Sequence, residues 1–181
     1  MTIYSHSIPI RPMYLQIMCV VTACLLCLPG ALFAKDKQII GWIETVRLTH
    51  NMLSIDAKID TGARHSSLHT ENYQLFEKNN EPWIRFKISN KAGKSLSIEK
   101  PVIRTAKIKS KRKKVKSQER PVIMLGICIG SVYKEIETNI VDRSHFNYKL
   151  LIGRSFLKED SLVDSSLKYT LPPTCKPKII H

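Results

Sequence analysis

Asp60, Thr61, Gly62 and Ala63 stand at the end of an alternating apolar run made of Leu53, Ile55, Ala57 and Ile59. Apolar side chains at a period of two mark a strand with one buried face, so Asp60 is delivered at a strand tip and is followed at once by a hydroxyl residue and a glycine. A carboxylate presented in this way can serve as an acid or as a base. Peptide hydrolysis by carboxylates needs one of each, close together: the ionised member draws a proton from a water, and the protonated member polarises the scissile carbonyl. Two aspartates within hydrogen-bond reach share a proton, because ionising both is costly. The motif occurs once in the 181 residues, which implies a site completed by Asp60 of a second chain.

The elements around the motif read as strands separated by turns. Ile39 to Leu48 forms a first strand with Trp42, and Met52 to Ile59 a second. Pro82 to Ile88 alternates Ile84, Phe86 and Ile88 against Trp83, Arg85 and Lys87, the pattern of a half-buried strand. Ser95 to Ile103 is another, with Pro101 at an edge or break. Pro121 to Ile129 and Tyr133 to Val141 are two further strands around Gly130 and Ser131, and Lys149 to Ile152 is a short one ending at Gly153. Arg154 to Leu157 begins a brief helix, Asn72 to Lys78 suits a helical turn, and Ser161 to Tyr169 is the last ordered segment. Long helical periodicity is absent. The expected fold is all-β, a small closed barrel.

Three regions differ in composition from this pattern. Residues 1–34 hold one charged side chain, Arg11, ahead of an apolar run from Met13 to Ala34. A basic residue, an apolar stretch and a small residue at the cut describe a secretory signal, with cleavage expected after Ala34 and a periplasmic or secreted product. A retained membrane anchor and a lipidated Cys24, within Val21-Thr22-Ala23-Cys24, are the other readings. The second region lies between Arg104 and Arg120, where Lys107, Lys109, Lys111, Arg112, Lys113, Lys114 and Lys116 crowd together between β-favouring flanks. It reads as a projecting basic hairpin. The third is the tail 171–181, with two adjacent prolines, expected to be flexible. The chain carries 29 basic against 15 acidic residues, and removing the leader takes only Arg11 from that balance. Of the five cysteines, Cys128 and Cys175 then remain. An exported chain can oxidise the pair, but Cys128 sits in an apolar strand pattern, where a buried free thiol is expected.

Two segments belong together: Lys58 to Leu68, reading K-I-D-T-G-A-R-H-S-S-L, and Leu150 to Leu157, reading L-L-I-G-R-S-F-L. An apolar strand into D-T-G-A, followed some ninety residues later by an apolar pair and Gly-Arg, resembles the retropepsin-like aspartic peptidases. From about Ile40 to Tyr169 the chain resembles more closely a bacterial branch of that fold labelled ATP-dependent zinc protease. The likeness runs in order through Gly41-Trp42-Ile43-Glu44, the Asp60 motif with Arg64, Ser67-Leu68-His69, Trp83 to Phe86, Glu119 to Ile123, Asp142-Arg143-Ser144, Leu151 to Arg154 and Leu162 to Asp164.

The resemblance implies an aspartic endopeptidase domain over 35–170, one half-site per chain, working as a homodimer with no cofactor. Asp60, Thr61 and Gly62 are then the catalytic residues: Thr61 ties the two loops together across the dimer, and Gly62 lets backbone approach substrate. Gly153 packs beneath the turn and Arg154 supports it. Ala63 and Arg64 face substrate, Arg64 either clamping a carboxylate or pairing with an acid such as Asp142. The basic hairpin takes the place of the flap that closes over substrate, so Lys111, Arg112 and Lys113 favour acidic, glutamate-containing peptides. Its tip lacks the glycines usual in such flaps, and a solvated charged loop is the competing reading.

Two other functions remain in play. A non-catalytic module of the same fold could grip polyanions or envelope components, although export and scarce aromatics near the lysines argue against nucleic acid. A metal-dependent hydrolase could be built on His65 and His69, four apart, but Ser66 stands where the zincin pattern needs Glu and a third ligand is missing. No metal is expected, and no phosphate-cradling glycine pattern supports ATP dependence.

Overall fold

The computed structural model describes residues 35–48, 53–70, 72–108 and 118–175. The expected signal segment 1–34, residues 49–52, the expected hairpin tip with Lys111, Arg112 and Lys113, and the end of the tail at 176–181 lie outside these residues.

Apolar alternation builds a barrel. Strand β2 (Ile43–Leu48) pairs antiparallel with β3 (Leu53–Ile59), which buries Leu53, Ile55, Ala57 and Ile59 on one side. Two long strands, β9 (Gln118–Ile129) and β10 (Val132–Val141), form an antiparallel hairpin around Gly130. Gly130 has φ of 56°, a left-handed conformation that most side chains resist and glycine adopts freely. Two short strands, β4 (Ser66–His69) and β11 (Leu150–Ile152), fill the gap between β10 and β3. The hydrogen-bonded order β10-β4-β11-β3-β2-β9 returns to β10 and closes the sheet into six strands, leaving no open edge within the ring. The expected closed, nearly all-β barrel is the observed one.

Three additions surround it. A three-stranded antiparallel sheet holds β5 (Tyr73–Lys78), β6 (Glu81–Ser89) and β7 (Ser95–Pro101). Strand β8 (Arg104–Ile108) extends the barrel sheet by pairing with the start of β9, so both flanks of the basic segment are strands. Strand β1 (Gln38–Gly41) pairs in parallel with β12 (Ser161–Asp164), which follows the one-turn helix α1 (Arg154–Leu157). The core joins the barrel interior to Ile84, Phe86 and Ile88 of β6 and to Phe156 of α1.

Four expectations are corrected. Residues 73–78 form β5 rather than a helical turn, because pairing with β6 from Tyr73 opposite Phe86 to Lys78 opposite Glu81 supplies their backbone partners. The first strand breaks at Trp42, whose N–H turns away to the carbonyl of Leu167 (2.9 Å). The start of the tail, 171–175, is pinned. Thr174 donates its N–H to the carbonyl of Gly130 (2.7 Å), Arg47 donates to the carbonyl of Cys175, and Cys175 forms a disulfide with Cys128, Cα atoms 6.0 Å apart. Cys128 is therefore not a free thiol. A cross-link spanning 47 residues is worth about 2–4 kcal/mol through the unfolded chain.

Candidate active site

Asp60 leaves the end of β3 with its N–H donated to the carbonyl of Ile152 (2.9 Å), so the ladder with β11 runs one bond beyond the strand. The chain then turns sharply. Asp60 Oδ1 accepts the N–H groups of Gly62 (2.9 Å) and Ala63 (3.1 Å), the local side-chain turn that aspartate favours. The carboxylate is half-buried, with Thr61 and Gly62 exposed beside it. It is fixed in direction but not enclosed.

The segment after β11 clamps this turn. Arg154 Nη1 donates to the carbonyls of Thr61 (2.9 Å) and Gly62 (2.7 Å). The N–H groups of Arg154 and Ser155, which open α1, donate to the carbonyls of Ala63 and Arg64, both at 2.9 Å. The N–H of Gly153 meets Ser66 Oγ at 3.1 Å. A Cβ on Gly153 would lie 2.7 Å from the backbone carbon and oxygen of His65, so only glycine permits this approach. Gly153, Arg154 and Ser155 thus bear on the chain that follows Asp60 through five hydrogen bonds and one close backbone approach, none of them to the carboxylate itself.

The remaining candidates go elsewhere. Arg64 is exposed and lines a cleft of about 550 Å³ with His65, Glu137, Arg154 and Lys158. It forms no ion pair with Asp142, whose Oδ1 accepts the N–H of Ser144 (2.8 Å) and lies 3.5 Å from His69 Nδ1. Asp142 consequently titrates below the ordinary carboxylate range, chiefly through the Ser144 bonds. His65 faces Glu137 (3.7 Å), and Arg104 also holds that carboxylate, lowering its pKa. His69 Nδ1 accepts the N–H of Arg143 at 2.7 Å. The two histidines do not share a helical face: His65 precedes β4 and His69 ends it, about 13 Å apart along extended chain. Among the described residues no three His, Cys, Asp or Glu side chains gather as metal ligands.

Sequence reasoning gave no role to Arg143 or Arg120. Arg143 is buried, and its Nη1 donates to Ser67 Oγ at 3.1 Å. The contact spans 76 positions, and no local signal announces it.

Comparison with known proteins agrees with this geometry. Residues 39–174 match the model of the RimB-like family, described as retropepsin-like aspartic endopeptidase RimB. A crystal structure of a Legionella pneumophila protein of unknown function (DUF785) superposes with a TM-score of 0.63 at 34% identity, covering 73% of this chain and 96% of that one. A probable alpha-L-glutamate ligase of Shewanella pealeana is 34% identical over 121 residues, 65% of this chain and 26% of the ligase. A protein of the same name from Desulfotalea psychrophila is 27% identical over 77% of this chain and 31% of its own length. The chain spans about a quarter to a third of these curated relatives. With three quarters of its length inside one family model and a barrel that clamps Asp60, the chain belongs to the RimB-like family of retropepsin-like aspartic endopeptidases.

Proposed function

We propose that the chain is an exported aspartic endopeptidase that hydrolyses peptide bonds at a site shared by two copies, with glutamate-containing peptides as substrates. The observation that carries this reading is the Asp60 turn: a half-buried carboxylate, oriented by the Gly62 and Ala63 N–H groups, on a loop braced by Arg154. In the reaction the ionised Asp60 of one copy accepts a proton from a water held between the two carboxylates. The water oxygen bonds to the substrate carbonyl carbon, and the protonated Asp60 of the other copy gives its proton to the carbonyl oxygen. Collapse of the tetrahedral intermediate breaks the C–N bond as the amine nitrogen takes a proton from the dyad. Thr61 meets its counterpart across the two-fold axis.

Support for a second copy comes from β1 and β12. Ile39 and Leu162 stand opposite one another in register and are 55% and 53% exposed, an apolar pair that a partner would cover. The end of β1 lies beside the site, because Trp42 accepts the N–H of Ile59 at 2.9 Å. Support for glutamate comes from the excess of basic side chains and from the names of the longer relatives, probable alpha-L-glutamate ligases. The positive charge of Lys111, Arg112 and Lys113 would concentrate such a substrate.

The test is cleavage of glutamate-rich peptides by the purified chain and by Asp60→Asn. The substitution is expected to lower kcat/KM by about 10²–10⁴-fold or more while leaving the folded dimer and peptide binding intact. Undiminished cleavage by Asp60→Asn overturns the reading.

A further inference from the structure

Arg143 is a buried cation whose hydrogen-bonding and stacking partners among the described residues are all neutral. Its residue is 8% exposed. Its guanidinium gives Nη1 to Ser67 Oγ (3.1 Å) and Nε to the carbonyl of Tyr148 (3.5 Å), and it stacks over Phe146, 4.4 Å from the ring centre. Among the described residues no Asp or Glu pairs with it, and its neighbour Asp142 is turned to His69 and Ser144. Arg120, half-buried near the start of β9, repeats the pattern: its Nε and Nη2 both go to Gln118 Oε1, at 3.0 and 2.7 Å, another uncharged acceptor. Burying a cation without a counter-ion is costly. Here burial and the mutual repulsion with Arg120 pull the Arg143 pKa down, and the charge of Asp60 opposes them. The two guanidiniums and Asp60 therefore share one electrostatic neighbourhood.

Strand register says where this neighbourhood lies. Ser67 is opposite Leu151, and Leu151 is opposite Lys58. These three residues form one rung of the sheet. Asp60 lies two residues beyond Lys58, so the two share a face. Two strand spacings and two residues of rise put the Ser67 and Asp60 backbones about 12 Å apart. The Arg143 guanidinium is held at the Ser67 side of that gap by its bond to Ser67 Oγ, and an extended substrate residue advances about 3.3 Å. A glutamyl side chain one or two residues from the scissile bond is of the length needed to bridge such a separation.

We propose that Arg143, with Arg120 beside it, forms the subsite that reads a side-chain carboxylate of the substrate near the scissile bond. It is a specificity-determining subsite, distinct from the Lys111 to Lys113 segment, and it rests on the peptidase reading above. The substrate carboxylate would supply the missing counter-ion, and guanidinium geometry favours a bidentate grip.

The experiment compares glutamyl and glutaminyl versions of one peptide, varied singly at the positions flanking the cleaved bond, for wild type, Arg143→Gln, Arg143→Lys and Arg120→Gln. Wild type is expected to prefer glutamate at one such position. Arg143→Gln is expected to cut kcat/KM for the glutamyl peptide by about 10–100-fold, the range for a charge-assisted bond, with little change for the glutaminyl peptide. Arg143→Lys is expected to recover part of the preference and Arg120→Gln to lose less of it. Equal treatment of the two peptides by wild type, or an unchanged ratio in Arg143→Gln, overturns the proposal. If Arg143→Gln does not fold, the Arg143→Lys and Arg120→Gln ratios decide by the same criterion. Equilibrium binding of both peptides to Asp60→Asn, with and without Arg143→Lys, separates the two ideas. A glutamate preference that Arg143→Lys weakens there supports the subsite even where no cleavage is found, and a preference that Arg143→Lys leaves unchanged counts against it.

Discussion

Two carboxylates at opposite duties explain much of this molecule. Glu44 is fully buried, and both its oxygens are occupied: it accepts from the N–H of Gly41 (2.6 Å), from the N–H and hydroxyl of Thr170 (3.0 and 2.5 Å), and from the N–H of Leu171 (3.5 Å). It locks the C-terminal segment onto the barrel. Asp60 is half-buried, and both of its bonds fall on Oδ1. One acid is consumed by the fold, and the other is oriented by it with capacity left over. Chemistry needs the second kind, because an oxygen already saturated with donors has no lone pair to offer a water.

Removing the consumed acid is expected to have the larger effect on stability. Glu44→Ala leaves the buried N–H of Gly41 and the half-buried donors of Thr170 without their acceptor and is expected to cost about 2–4 kcal/mol, read as a lower denaturant midpoint, with the activity of the remaining folded fraction nearly unchanged. Gly153→Ala should invert that balance. Its methyl group pushes on the His65 backbone, so we expect a stability loss of about 1–3 kcal/mol together with a fall in kcat larger than the fall in folded protein. If Gly153→Ala loses only stability, the clamp does not control the Asp60 turn.

A third carboxylate sharpens the contrast through pH. Asp160 is buried between Lys134 and Lys35, and its pKa lies below the ordinary 3.8, mainly through the Lys134 bond. A depressed folded-state pKa gives stability that is complete above about pH 4 and disappears as pH falls through the lower folded value. Asp160→Asn is therefore expected to be less stable than wild type at neutral pH and to converge with it in acid, the smallest of these effects. Parallel stability curves down to the acid limit would refute the assignment.

What the sequence reveals follows the range of the interactions. The Asp60 turn is legible because its donors lie two and three residues away, and because alternation along β3 sets its face. Gly153 and Arg154 are legible as a motif, although their contact crosses about ninety positions. Strand β4 is hidden: Ser66-Ser67-Leu68-His69 is too short to show a period, and its identity comes from β10 and β11 on either side. The disulfide and the pinned tail are hidden for the same reason. Pro172 and Pro173 offer no periodic face, and the partners of Thr170 and Thr174 lie 126 and 44 residues away. Arg143 looks like an ordinary surface cation until Ser67 and Phe146 are seen around it.

The central claim is that one working site needs Asp60 from two chains. Wild-type chains mixed with Asp60→Asn chains under subunit exchange, at constant total protein, test it most directly. Peptidase activity is expected to fall with the square of the wild-type fraction, since only doubly wild-type pairs hold both carboxylates. A linear fall would mean that each chain carries a complete site of its own and would contradict the account.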